Sequence, residues 1–273
     1  MSKKGIALCL AVLLVCIGVS AWAKEKSPKK VVSENLIAQV DSSKIQGAFI
    51  VSPDNKRAAY LAKEGDKWFV VVDGKEEKRY DAIMEGSPVF SPDSKRVAYA
   101  AKVGNKWFMV VDGKEEKQYD AIGTSGPIFS PNSKRLAYVA DAGNKWFIAV
   151  DGKEEKQYDG IGLGTPIFSP DSKRVAYLAR AGNKWIVVVD GKEDAPYDGI
   201  ATSTPIIYFS PDNKRAAYFA LMGNKWVVVV DGKEDGPYDG IGVGAKIIFD
   251  SPNTLHYLAQ KGNGIYLVEA KIE

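Results

Sequence analysis

Residues 169–200 read SPDSKRVAYLARAGNKWIVVVDGKEDAPYDGI, and nearly the same phrase recurs along the chain. Its Ser-Pro start returns at Ser52, Ser91, Ser130, Ser169, Ser210 and Ser251, at intervals of 39, 39, 39, 41 and 41 residues. A fixed period near 40 residues marks a repeat architecture. Reading outward from Ser169, Thr165-Pro166-Ile167-Phe168 is a short apolar run that stops at a Ser-Pro-Asp-Ser turn. Arg174 to Ala179 reads as a second strand and Gly182-Asn183 as a turn. Trp185 to Val189 is aromatic and β-branched, the composition of a third strand. Asp190-Gly191 is a strong signal for a two-residue hairpin, because both central residues of a type I′ turn need positive φ. Lys192 to Tyr197 is a more polar fourth strand, and its Pro196 suits an outer edge.

Four short antiparallel strands per repeat, with two apolar faces, cannot stand alone. Stacking the copies radially buries both faces of each. The expected fold is therefore all-β: a six-bladed β-propeller of four-stranded antiparallel blades. A linear β-solenoid is the competing architecture, but Asp-Gly hairpins demand antiparallel pairing. The sixth copy has three strands before the chain reaches Glu273. Val40-Asp41 stands where Tyr-Asp stands ahead of each later Ser-Pro. The expectation is that Leu36–Val40 supplies the missing strand, so that an N-terminal strand completes the last blade and removes an exposed edge.

The phrase Ser-Pro-Asp-x-Lys-Arg-x-Ala-Tyr at Ser52, Ser91, Ser169 and Ser210, with its Asn variant at Ser130, resembles the WD40-like repeat of TolB-type propellers. That family usually has Gly after the Asp. Here the position holds Asn55, Ser94, Ser133, Ser172 or Asn213, which also suit a turn. The resemblance covers most of the chain and implies a propeller. It implies little about activity, since related propellers serve as docking proteins and as accessory domains of enzymes.

The expected organisation is a signal peptide over 1–23, a linker over 24–30 and one propeller over 31–273. Lys3 and Lys4, an apolar run from Ile6 to Val19, and Ala21-Trp22-Ala23 before Lys24 make the signal peptide; an uncleaved anchor is the alternative. This places the protein in the periplasm or outside the cell, with no transmembrane segment after cleavage. Both cysteines, Cys9 and Cys16, lie in that segment. The remainder therefore has no thiol nucleophile, disulfide or Cys-ligated metal. The chain carries 37 basic and 34 acidic residues with interspersed signs, which argues against nucleic acid as a partner.

No cofactor, metal or catalytic residue is expected. The one histidine, His256, occupies the place of Ala59 or Ala176 in other copies and reads as a packed or edge residue. The Ser-Pro-Asp and Asp-Gly aspartates read as turn formers, the tryptophans at Trp68, Trp107, Trp146, Trp185 and Trp226 as inter-blade packing, and the Lys-Arg pairs as solvated rim charge. Residues present in every copy belong to the scaffold. The copies differ most in the loops expected to link each fourth strand to the next first strand, at Met84–Ser87, Gly123–Gly126, Gly162–Thr165, Ala201–Thr204 and Gly242–Ala245. Those loops are expected to ring the channel mouth, with Glu85, Thr124, Ser125, Thr165, Thr202, Ser203 and Thr204 as ligand-binding candidates. The functional expectation is a non-catalytic module that binds an envelope protein or a small ligand at the propeller face. An enzyme acting on a polysaccharide or peptide at the same mouth is the alternative.

Overall fold

The computed structural model describes residues 32–202 and 205–273. The expected signal peptide and linker, Val31, and the candidates Ser203 and Thr204 lie outside the described residues. Every helix or strand element within them is a β-strand. The strands form six antiparallel sheets, one for each copy of the phrase.

The fourth sheet shows how local chemistry sets the pattern. Val175–Ala181 pairs with Lys184–Val189, whose β-branched run fills a pleated, covered surface. Asp190 and Gly191 turn the chain with φ of 52° and 75°, as a type I′ hairpin requires. Lys192–Glu193 then pairs with Val188-Val189, and Tyr197 bridges back to Trp185. Between them Pro196 falls in an interrupted ladder, where its missing N–H does no harm.

One assignment differs from the expectation. The variable loops do not link one sheet to the next. They interrupt the innermost strand, so that Gly160–Ile161 and Ile167–Phe168 both pair with Val175–Ala181. The crossing from sheet to sheet is made earlier, at Tyr158-Asp159, ahead of the loop.

Successive sheets pack face to face through apolar clusters, one at each of the junctions from first–second to fifth–sixth. At the second junction, Tyr119 meets Tyr138 and Phe147 edge to face, with ring centroids 6.2 and 5.5 Å apart. Tyr138 Oη donates to Glu116 Oε2 across the junction at 2.7 Å. Burial and the neighbouring carboxylate push the Tyr138 phenol well above its usual range.

The Lys-Arg pairs correct the reading as solvated charge, because each arginine is a clamp. Arg135 Nε donates to Asp151 Oδ2 at 2.9 Å within its own sheet. Its Nη1 donates to the carbonyls of Ser172 and Lys173 in the next sheet, at 3.3 and 2.6 Å. The guanidinium also lies 5.3 Å from the Phe168 ring centroid. Planar, fork-shaped donors suit such multiple contacts.

The serine that follows the Ser-Pro-Asp or Ser-Pro-Asn turn has a second role at Ser94, Ser133 and Ser172. Ser133 is held at φ 65°, a conformation in which most side chains are strained. Its hydroxyl accepts the Asp93 N–H of the preceding sheet at 2.8 Å. Ser133→Ala keeps the strained backbone and leaves that N–H unpaired, so it is expected to cost about 1–2 kcal/mol. Ser133→Gly loses the same bond but relieves the backbone, and is expected to cost less. Urea denaturation of the two variants checks the order.

The expected closing strand is not formed. Leu36–Val40 has no strand structure, and Ala38 lies over the Asp73-Gly74 turn of the first sheet, 3.3 Å from where a Gly74 Cβ would stand. The last strand, Gly264–Lys271, pairs only with Thr254–Lys261 among the described residues. Clasping the ends requires the first and sixth sheets to meet, yet no apolar cluster of described residues joins them. The sixth copy has also lost the Lys-Arg pair between Ser251 and Tyr257, and with it the clamp that seats each other sheet on its successor.

Candidate functional site

The interrupted innermost strands place the variable loops on one face of the array, beside the Gly-Asn hairpins. The Tyr-Asp aspartates hold them there. Asp198 Oδ1 takes a bond from Lys184 Nζ at 2.6 Å, and its Oδ2 takes the Gly223 N–H of the next hairpin at 2.8 Å. The Lys184 ammonium and that N–H hold the Asp198 carboxyl below the usual aspartate range. The same double contact recurs at Asp81, Asp120, Asp159 and Asp239. These acids are consumed in joining neighbouring sheets and leave little for a ligand.

The loops themselves are tight turns. Thr165 Oγ1 donates to the Gly162 carbonyl at 2.6 Å and the residue is fully buried. Ser87 does the same with the Met84 carbonyl. Gly162 is required because a Cβ there would lie 2.7 Å from Leu178 Cδ2. Thr165 is therefore withdrawn as a binding candidate, since its hydroxyl closes the turn. Glu85, Thr124, Ser125 and Thr202 are exposed at the loop tips, as a site would require.

Composition by hydroxyl count missed two positions. The second residue of each loop is its tip, and in order these are Glu85, Thr124, Leu163, Thr202 and Val243. Leu163 is 79% exposed and Val243 fully so. Apolar side chains thrust into water at a turn tip have no packing role. The signal was present in the sequence, as one alignment column holding five tips of four kinds. Val103 and Met222, on the adjoining hairpins, add two more exposed apolar groups to this face. A 470 Å³ hollow opens beside the last two loops, lined by Ala201, Thr202, Trp226, Ile241, Val243 and Lys246.

On the opposite face the turn aspartates are already paired. Asp171 accepts the Ser169 hydroxyl and the Lys173 N–H, which together lower its carboxyl below the usual range. Hollows of 740 and 730 Å³ between outer strands are larger, but Arg135 and Asp151, and Arg57 and Asp73, line them as bonded pairs. The tryptophans open the third strands and pack against the junction clusters, as at Trp107 and Trp185. His256 Nδ1 lies 2.8 Å from Asp250 Oδ2 on the outer face of the last sheet. No group of three or more metal-ligating side chains occurs among the described residues. No described helix is long and apolar enough to cross a membrane.

No protein-family model matches the chain, and no curated protein sequence matches it. Among solved structures it is similar to TolB from Acinetobacter baumannii, at 18% identity and a TM-score of 0.37, over 71% of this chain and 54% of that one. It is similar to a eukaryotic initiation factor, at 15% identity and a TM-score of 0.42, over 79% of this chain and 60% of the other. A β-propeller domain from Myceliophteria thermophila is a third, at 10% identity and a TM-score of 0.36, over 86% of each chain. The chain thus spans little more than half the length of the first two. At such values no residue role or activity passes from them to this chain.

Proposed function

We propose that the protein is a non-catalytic propeller module, exported to the periplasm or beyond, that binds a partner protein of the cell envelope through the loop-tip face. The observation that carries this reading is the contrast between tip and base of the same loops. At the base, Asp198 and its counterparts are spent on neighbouring sheets. At the tip, Leu163 and Val243 are exposed apolar groups with no structural task. Exposed apolar side chains rimmed by polar residues are the composition of an interaction surface. Export rests on the signal-peptide reading of residues 1–23. The enzymatic alternative gains no support from His256, the one histidine, which is paired with Asp250.

The test compares two variants in crosslinking and pull-down from envelope extracts. Leu163→Ser with Val243→Ser alters the tips; Lys95→Ser with Lys173→Ser alters the opposite face. A partner retained by the second variant and bound at least about tenfold more weakly by the first supports the reading. A partner bound equally by the tip variant, or none recovered by the unaltered protein, overturns it.

A further inference from the structure

Among the described residues, the last sheet has an unpaired edge. In each of the other five sheets the third strand carries an outer neighbour, as Lys106–Val111 carries Lys114–Tyr119. Gly264–Lys271 carries none among the described residues. Beside this edge, Leu258, Ile265 and Leu267 are exposed by 52, 80 and 60%. An unpaired strand edge bordered by apolar side chains is a template for another strand.

The first sheet has the complementary feature. Leu36, Ile37 and Val40 are exposed by 85, 51 and 46% and take part in no strand. They precede Asp41 and the inner strand Ile45–Val51 as Tyr119-Asp120 precedes the third sheet. Inside the chain, the segment in this place always belongs to the outer edge of the preceding sheet. Among the described residues, no sheet precedes the first.

We propose that Leu36–Val40 of one copy pairs with Gly264–Lys271 of a second copy, joining the chains head to tail. The occupant follows from continuity with the five internal junctions, where an outer strand of one sheet leads directly into the next. The register follows too. Trp107 opposes Tyr119 and Val110 opposes Glu115 in the second sheet. Counting from Asp41 and Tyr257 places Val40 opposite Ile265 and Leu36 opposite Val268. The joint is weaker than the internal ones. The sixth copy lacks the arginine clamp, and His256 and Glu269 stand where the first sheet has Ala59 and Val72. Such a head-to-tail contact is heterologous, so repeated joining makes rings or open filaments.

The test uses chains with Cys9 and Cys16 replaced by serine. One carries Val40→Cys, another Ile265→Cys. Mixing them under mild oxidation is expected to give a disulfide-linked heterodimer whose yield rises with concentration. Light scattering is expected to show concentration-dependent association, shifted at least tenfold to higher concentration by Leu36→Pro, which removes a ladder N–H. A doubly substituted chain that crosslinks only within itself at every concentration overturns the proposal in favour of closure within one chain. A monomer that yields no crosslink overturns it outright. Neither outcome depends on the loop-tip reading.

Discussion

Truncating Phe147 to alanine is expected to destabilise the protein by about 3–5 kcal/mol, the largest effect of any single core change proposed for this chain. Phe147 is fully buried at the junction of the second and third sheets. Its ring meets Tyr119 edge to face, so the lost area and the lost aromatic contact add to the cavity left behind. The position is Phe69, Phe108, Ile186 and Val227 in other copies, so the array tolerates smaller branched side chains there when the whole junction is built for them. In an array of nearest-neighbour contacts the damage should be felt first at that junction. Hydrogen exchange is expected to quicken in Val97–Val111 and Leu136–Val150 before it does so in the last two sheets. Uniform quickening across all six sheets would show one cooperative unit instead.

Raising the pH above about 10 is expected to unfold the protein in a steep step. Burial raises the phenols of ten tyrosines at the junctions, Tyr80, Tyr99, Tyr119, Tyr138, Tyr158, Tyr177, Tyr197, Tyr218, Tyr238 and Tyr257. Tyr80 and Tyr119 are each pushed up to about 12. A folded-state value above the unfolded one means that the folded protein favours the neutral phenol. That contribution is complete below the unfolded value of 10.0 and is lost as the pH climbs through the folded values. Carboxylates such as Glu77, which accepts from Tyr99 at 2.7 Å, add repulsion once a phenolate forms beside them. A spectrophotometric titration followed with circular dichroism should show phenolate absorbance appearing together with loss of β-structure. Gradual ionisation near pH 10 with the fold intact would refute the argument.

Both results depend on junctions between sheets, and there the sequence was least legible. Strand positions and turns could be read because they are local. Asp190-Gly191 requires positive φ, Val187 to Val189 favours a covered strand, and Pro196 cannot sit in a central ladder. The Arg135 clamp could not be read. Its acceptors are backbone carbonyls of Ser172 and Lys173, 37 and 38 residues away, and carbonyls carry no sequence signature. The candidate site divides in the same way. Its place on the variable loops was legible because the copies disagree there. Whether a given hydroxyl points to solvent or closes its own turn was not, and Thr165 failed on that point while Leu163 and Val243 were overlooked.

By itself the sequence determined an all-β repeat of antiparallel four-stranded units, because period, strand composition and turn chemistry act over a few residues and are written out in every copy. Only the tertiary structure decided which charges are spent as clamps, which loop tips stay free, and that among the described residues Leu36–Val40 forms no strand and Gly264–Lys271 is paired on one side alone. The clamps depend on partners nearly a full repeat away, 37 and 38 residues for Arg135, whereas strand and turn chemistry acts over a few.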